Sequence, residues 1–367
     1  MKLEDGDLVL SKAELDRELT ALGVEPSLLG FRPSGSKAEA PPAEEADPAL
    51  RDDLRTALLA LVRPRQVARM THTFAEESVS RAFLAWPGLD GGPHDSVVVL
   101  NMAGEDRRVS LRTEEEVRRI AAGVVAADES LRAANLGLAL STSALVTLLA
   151  IADHARMQRH VSAISHVTPS LAFGIPDLEA RVADSGNEDF RFPLLFAASL
   201  LPFEVAGNVT TEDLELGVEE LLTAGLLAPM DETGEARVFE PARAGEDLLL
   251  GLVHEAAKLG IAFAVERTDG EAGHEVLLFV RAPTALYLFD FDGKGGALAS
   301  VSTGGFDELL RTAFRPARAP VPSARPVPDA PPPPPEPKPT PARFCMECGT
   351  ELNPGQKFCM ECGAKAG

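Results

Sequence analysis

The chain has four cysteines, and all of them lie in two near-identical phrases at its end, Phe344-Cys-Met-Glu-Cys-Gly349 and Phe358-Cys-Met-Glu-Cys-Gly363. Cys345 with Cys348, and Cys359 with Cys362, each form a CxxC spacing. In such a turn two sulfurs converge on one ion, and two turns joined by a short connection supply the four ligands that tetrahedral Zn²⁺ prefers. Gly349 and Gly363 follow the knuckles, where a residue without Cβ brings backbone N–H groups toward the thiolates. Asn353-Pro354-Gly355 reads as the reversal between them. So short a segment buries little core, so metal binding must supply most of its folding free energy, about 10–16 kcal/mol in comparable peptides. Four protein ligands leave no open coordination position, which makes the expected site structural. Paired disulfides would need an oxidising compartment, whereas the chain opens Met1-Lys-Leu-Glu-Asp-Gly-Asp7, acidic and without the apolar core of a secretory signal. A cytoplasmic location follows. A redox CxxC would be expected at a helix start within an α/β domain.

At these residues the segment resembles the small zinc-ribbon domains found at the ends of many bacterial proteins. Those share a Phe-Cys-x-x-Cys-Gly knuckle, a leucine such as Leu352, and a second knuckle. The resemblance implies a fold and a metal for residues 343–367. It leaves open whether the ribbon touches protein, touches nucleic acid or serves as a staple.

Other chemically suggestive groupings give less. Leu286-Tyr-Leu-Phe-Asp-Phe-Asp-Gly-Lys294 resembles the first motif of haloacid-dehalogenase phosphatases, with Asp290 in the nucleophile position and Asp292 in the acid position. That family continues into a long α/β domain, and here a proline-rich stretch soon begins, so the phrase reads as a strand followed by an Asp-Gly hairpin turn. His154, His160 and His166 recur every six residues, about 240° apart on a helix, and do not share a face. His72, His94, His254 and His274 have no matching motif around them. No phosphate loop, GxSxG elbow or HExxH occurs.

The elements that would carry these residues form an acidic chain of 367 residues, with Asp+Glu 56 against Lys+Arg 35 and a formal net charge of −21. Such a balance repels phosphate backbones and disfavours nucleic-acid partners, and one Trp and one Tyr leave few stacking platforms. The single membrane candidate, 133–152, is uncharged but diluted by Asn135, Gly137 and Ser141-Thr142-Ser143, and reads as a buried helix continuing to His160.

Residues 1–30 hold a capping box, Ser11-Lys-Ala-Glu14, followed by Leu15, Leu19 and Leu22 at helical spacing. The segment 31–47 reads as a tether, so this helix either packs on the body or detaches as a docking peptide. A first α/β unit spans 48–130: a helix lined by Leu50, Leu54, Leu58 and Leu61, strands at 79–86, 96–102 and 107–111, and a helix capped at Thr113. A second unit spans 246–315, with a helix at 246–259, strands at 261–266, 275–281 and 285–291, a shorter one at 297–301, and a helix at 306–314. Two α-β-β-β-α units sharing one antiparallel sheet, or pairing about a pseudo-dyad, are expected.

They flank a helical middle, 131–245. Within it, a helix capped at Thr210/Thr211 and lined by Leu214, Val218, Leu221 and Leu222 leads to Gly225 and two short strands around Glu232-Thr-Gly234. This phrase resembles a winged helix. The helix in the recognition position carries Glu212, Asp213, Glu215, Glu219 and Glu220, which would set carboxylates beside phosphates in a DNA groove. Residues 316–342 form a proline-rich linker to the ribbon.

The sequence therefore points to a soluble α+β adaptor without enzymatic activity. It would act through weak contacts to other proteins made by body, N-terminal helix and zinc ribbon together. Three alternatives stay open. One is a transcriptional regulator using winged helix and ribbon, and another is an enzyme without a recognisable motif. The third is a secretion chaperone, since the element order is similar to that of cytosolic chaperones of type VII secretion.

Overall fold

The computed structural model of the protein describes residues 2–4, 7–32, 48–74, 78–87, 96–101, 106–127, 131, 136–184, 192–201, 209–230, 237–266, 272–292, 295–314, 343–344 and 351–352. Contacts divide the chain into a body, Met1–Arg318, and a C-terminal unit, Ala319–Gly367. In the body, β1 (Lys2–Glu4), β2 (Asp7–Ser11) and α1 (Lys12–Ala21) are followed by α2 (Pro48–Val62), β3 (Pro64–Phe74), β4 (Ser78–Pro87), β5 (Ser96–Asn101), β6 (Asp106–Thr113) and α3 (Glu114–Val124). The middle comprises β7 (Gly137–Leu140), α4 (Thr142–Ser165), β8 (Phe173–Gly174), α5 (Ile175–Ala183), α6 (Pro193–Ala198), α7 (Thr211–Thr223), β9 (Leu227–Pro229) and β10 (Val238–Pro241). Then come α8 (Arg243–Val253), β11 (Ala257–Glu266), β12 (Ala272–Arg281), β13 (Leu286–Phe291), β14 (Gly296–Ser300) and α9 (Thr303–Phe314).

Within the body the two α/β units share one sheet. Its order is β1-β2-β6-β5-β4-β3-β11-β12-β13-β14-β7, antiparallel throughout. The first strands of the two units, β3 and β11, pair at its centre with Met70 opposite Ile261, and the later strands of each run outward in mirrored order. The first unit has four strands instead of the three expected, while the second has its three and the shorter fourth at its expected place. The additional strand of the first unit is β3, whose polar Gln66, Thr71 and Thr73 are buried by neighbours on both sides.

The helix expected at 246–259 ends earlier. Ala256 N–H donates to Arg281 C=O at 2.7 Å, which opens the ladder, and Ala257–Leu259 already belong to β11. Gly260 is thus not a helix stop. It lies within the strand, where a Cβ would meet Leu200 Cδ1 at 2.0 Å, and the missing side chain admits that leucine to the sheet. The run 133–152 is likewise not one helix. Gly137–Leu140 extend the sheet edge beside β14, and α4 starts only after Ser141, whose Oγ accepts from Ala144 N–H at 3.1 Å. Among the described residues no helix is long and apolar enough to cross a membrane.

Alternation along the strands gives the sheet two apolar faces. On one, Leu84, Trp86, Ile261, Phe279 and Leu288 pack under α3 and α9, with Phe306, Leu310 and Phe314 supplied by α9. On the other, α1 and α2 cover the first half through Leu15, Leu19, Leu58 and Leu61. The second half is covered by α4, α6, α7 and α8. The N-terminal helix is therefore part of the body. Its capping box forms as expected, with Glu14 N–H to Ser11 Oγ at 3.2 Å and Ser11 N–H to Glu14 Oε2 at 2.8 Å. The tether residues 33–47 and the linker 316–342 lie outside the described residues.

Candidate functional site

In the C-terminal unit β15 (Arg343–Phe344) and β16 (Glu351–Leu352) pair antiparallel, Arg343 opposite Leu352 and Phe344 opposite Glu351. This register brings together the positions on either side of the first CxxC. Cys345, Cys348, Cys359 and Cys362 themselves lie outside the described residues. Their donor chemistry fits a structural metal: four soft thiolates suit Zn²⁺ and leave no position for a water or substrate. Among the described residues no cluster of three or more His, Cys, Asp or Glu could hold a metal ion.

In the middle of the chain, β8, β10 and β9 form a three-stranded sheet beside α7. The carboxylates of α7 are largely committed to the chain itself. Glu220 accepts from Ser141 N–H at 2.9 Å and from its hydroxyl at 2.5 Å, at the start of α4. Asp213 completes the capping box with Thr210 and accepts from Ser143 Oγ at 3.3 Å, and these hydrogen bonds hold its carboxyl below the usual range. Glu219 pairs with Arg237 at 2.5 Å. Gly217 lets α7 approach α4 closely, since a Cβ there would meet Thr147 Oγ1 at 2.2 Å. The helix in the recognition position thus turns one face into the core and leaves Glu212, Glu215 and Leu216 exposed.

Asp290, Phe291 and Asp292 stand at the end of β13 that leads to its paired strand β14, and Gly293 and Lys294 of the expected turn lie outside the described residues. Asp292 Oδ1 accepts from Gly295 N–H at 3.0 Å, fastening the turn between the paired strands β13 and β14. Burial, with Asp292 nearby, raises Asp290 above the ordinary carboxylate value. Burial and both aspartates do the same to Glu275. The three spaced histidines do not converge: His154 is buried with its ring 6.4 Å from Phe173, while His160 and His166 are exposed.

Sequence reasoning missed a buried ionic cluster between α4, the start of α6 and the α8–β11 turn. Arg156 donates to Glu255 Oε1 at 2.6 Å, and Lys258 Nζ converges on that same oxygen, while Oε2 is buried without a partner. Asp153 accepts from Leu194 N–H at 3.2 Å, holding the first turn of α6. Burial pushes the Asp153 and Glu255 carboxyls up and the Lys258 ammonium down. Arg156 also lies over the Phe192 ring at 5.9 Å, and Lys258 over Phe196 at the same distance. A signal was present: Asp153 with Arg156, and Glu255 with Lys258, are acid–base pairs three apart in apolar surroundings. The cluster lines neither surface groove of the body described below, and its chemistry is that of a staple.

One groove, of about 200 Å³, lies on the sheet face beside α3 and includes Met70, His72, Val99, Arg108 and Ile120. A larger one, of about 490 Å³, runs between the N-terminus of α5, β8, β10 and α7. Phe173, Ile175, Pro176 and Val238 line it, with Asp177 and Glu215 among its charged residues.

Residues 344–366 match the family model of the zinc-ribbon domain. The chain carries a C-terminal zinc ribbon. No curated protein matches it. Among solved structures the chain is similar to one in the structure of the Mycobacterium tuberculosis type VII secretion system chaperone EspG5 in complex with the PE25–PPE41 dimer. The TM-score is 0.41 and the identity 11%, covering 83% of this chain and 95% of that one. A likeness at that score carries no argument about this protein.

Proposed function

We propose that the protein is a non-enzymatic adaptor of a reducing, cytoplasmic compartment, acting on other proteins through its body and a zinc-stapled C-terminal head. The ribbon match at residues 344–366 supports the reading, because that span contains the chain's only cysteines, at the spacing of a closed four-thiolate set. Cys345, Cys348, Cys359 and Cys362 would hold the ion, which supplies folding free energy to the segment and no open coordination position. The proline-rich residues 316–342 would set the effective concentration at which ribbon and body engage one partner. The net charge of −21 and the acidic exposed face of α7 favour protein over nucleic acid as that partner.

Two measurements test this. Protein purified under reducing conditions is expected to hold one zinc per chain, falling well below one in Cys359→Ser. A chain without zinc overturns the reading. The full chain and a chain lacking residues 343–367, used side by side as bait, are expected to differ in the partners retained. Identical partner sets would reduce the ribbon to a passive cap.

A further inference from the structure

The C-terminal end of α4 keeps one side buried at Ser162 and turns apolar side chains outward on another. Beyond Arg156 the burial of the helix fades, and Val161, Ile164 and Val167 are 48%, 81% and 60% exposed. Exposed apolar side chains gathered at one helix end mark a contact surface. From Arg159 to Val167 the tip has no Asp or Glu and carries Arg159, His160 and His166, in a chain of net charge −21.

A complementary feature exists on the same molecule. The groove of about 490 Å³ between α5, β8, β10 and α7 has an apolar lining and three charged residues, Asp177, Glu215 and Arg237, the arginine being paired with Glu219. Glu212 and the 59% exposed Leu216 extend that surface along α7. The tip cannot fill the groove of its own chain. Phe173, which lines the groove, packs beside His154, and Ile164 lies ten residues further along one continuous helix. At 1.5 Å per residue that is a separation of about 15 Å along the axis.

We propose that the α4 tip of one copy seats Ile164 and Val161 in the α5–α7 groove of a second copy, forming a reciprocal dimer. With the two α4 helices antiparallel, a dyad midway between tip and groove makes both contacts at once, the closed isologous arrangement. Charge selects this approach. Most surfaces of two such acidic chains repel each other, whereas an acid-free tip meeting an acidic groove does not.

The test is sedimentation velocity of the full-length, zinc-loaded protein from about 1 to 100 μM at physiological salt. Wild type is expected to move from the mass of one 38.9 kDa chain to that of two as concentration rises. Ile164→Glu, on the tip, and Glu215→Lys, on the groove, are each expected to weaken dimerisation at least about tenfold, or 1.4 kcal/mol, with unchanged circular dichroism. Mixed together, the two variants are expected to recover dimer, because one intact tip then meets one intact groove. Four results overturn the proposal: a monomer at the highest concentration, a dimer indifferent to both substitutions, assemblies that grow beyond two chains, or a dimer lost in Cys345→Ser and kept in Ile164→Glu.

Discussion

Gly217 and Asp153 show how single positions hold the middle of the body together. A methyl group at Gly217 would lie 2.2 Å from Thr147 Oγ1 and 2.8 Å from Ser143 C=O, the second a backbone atom that yields only if α7 moves off α4. Gly217→Ala is therefore expected to cost about 1–3 kcal/mol in urea unfolding, although alanine is the better helix former. Burial raises the Asp153 carboxyl well above its ordinary value of 3.8. The folded state then keeps a proton that the unfolded chain releases, so stability is fullest below that value and declines as pH rises through the raised one. Asn cannot titrate and still accepts from Leu194 N–H. The stability of Asp153→Asn relative to wild type is thus expected to grow from pH 4 to pH 8 in denaturant titrations, and a constant difference would refute this. Neither role is fully legible locally: Gly217 sits in an ordinary helical pattern, and the spacing of Asp153 and Arg156 marks a charged pair but not the hold on α6, which exists only once Leu194 arrives from a distant segment.

At the scale of elements, the N-terminal segment had two readings that packing separates. Leu8, Leu10, Leu15 and Leu19 are buried in one core with α2, and β2 pairs along β6 from Leu8–Val109 to Ser11–Asp106. Deleting residues 1–32 would remove four buried leucines and open the β6 edge. The expected loss is on the order of 5 kcal/mol or more, seen as a lowered unfolding midpoint or insolubility. A detachable helix would leave the midpoint unchanged. On α7, Glu212 and Glu215 are exposed and would set carboxylates beside phosphates if this helix met DNA. No measurable binding to duplex DNA at physiological salt is expected in fluorescence anisotropy, whereas tight binding would restore the regulator reading. Capping chemistry was readable from the start, since Ser11/Glu14, Thr113/Glu116 and Thr210/Asp213 all form their boxes. Where a cap lay inside an apolar run, at Ser141, hydropathy hid it, and a strand and a helix read as one.

The whole molecule divides into a body built on one continuous antiparallel sheet and a C-terminal unit that carries the zinc ribbon. Chelating zinc is accordingly expected to leave the thermal midpoint of the body within about 1 °C while abolishing protease resistance in residues 343–367. A large shift in that midpoint would show that the metal supports the body as well. The sequence by itself determined the ribbon, because four cysteines at CxxC spacing specify their chemistry without help from a core. It also determined the alternation of helices and strands in the two halves, because each such element writes its own periodicity. Only the tertiary structure decided that β3 and β11 pair at the centre of a single sheet. Gln66, Thr71 and Thr73 give β3 a weak apolar alternation, and its extended form is fixed by hydrogen bonds to strands on either side. Tertiary structure likewise decided which charges are buried, because the desolvation of Asp153, Glu255 and Lys258 depends on three elements meeting from far apart in the chain.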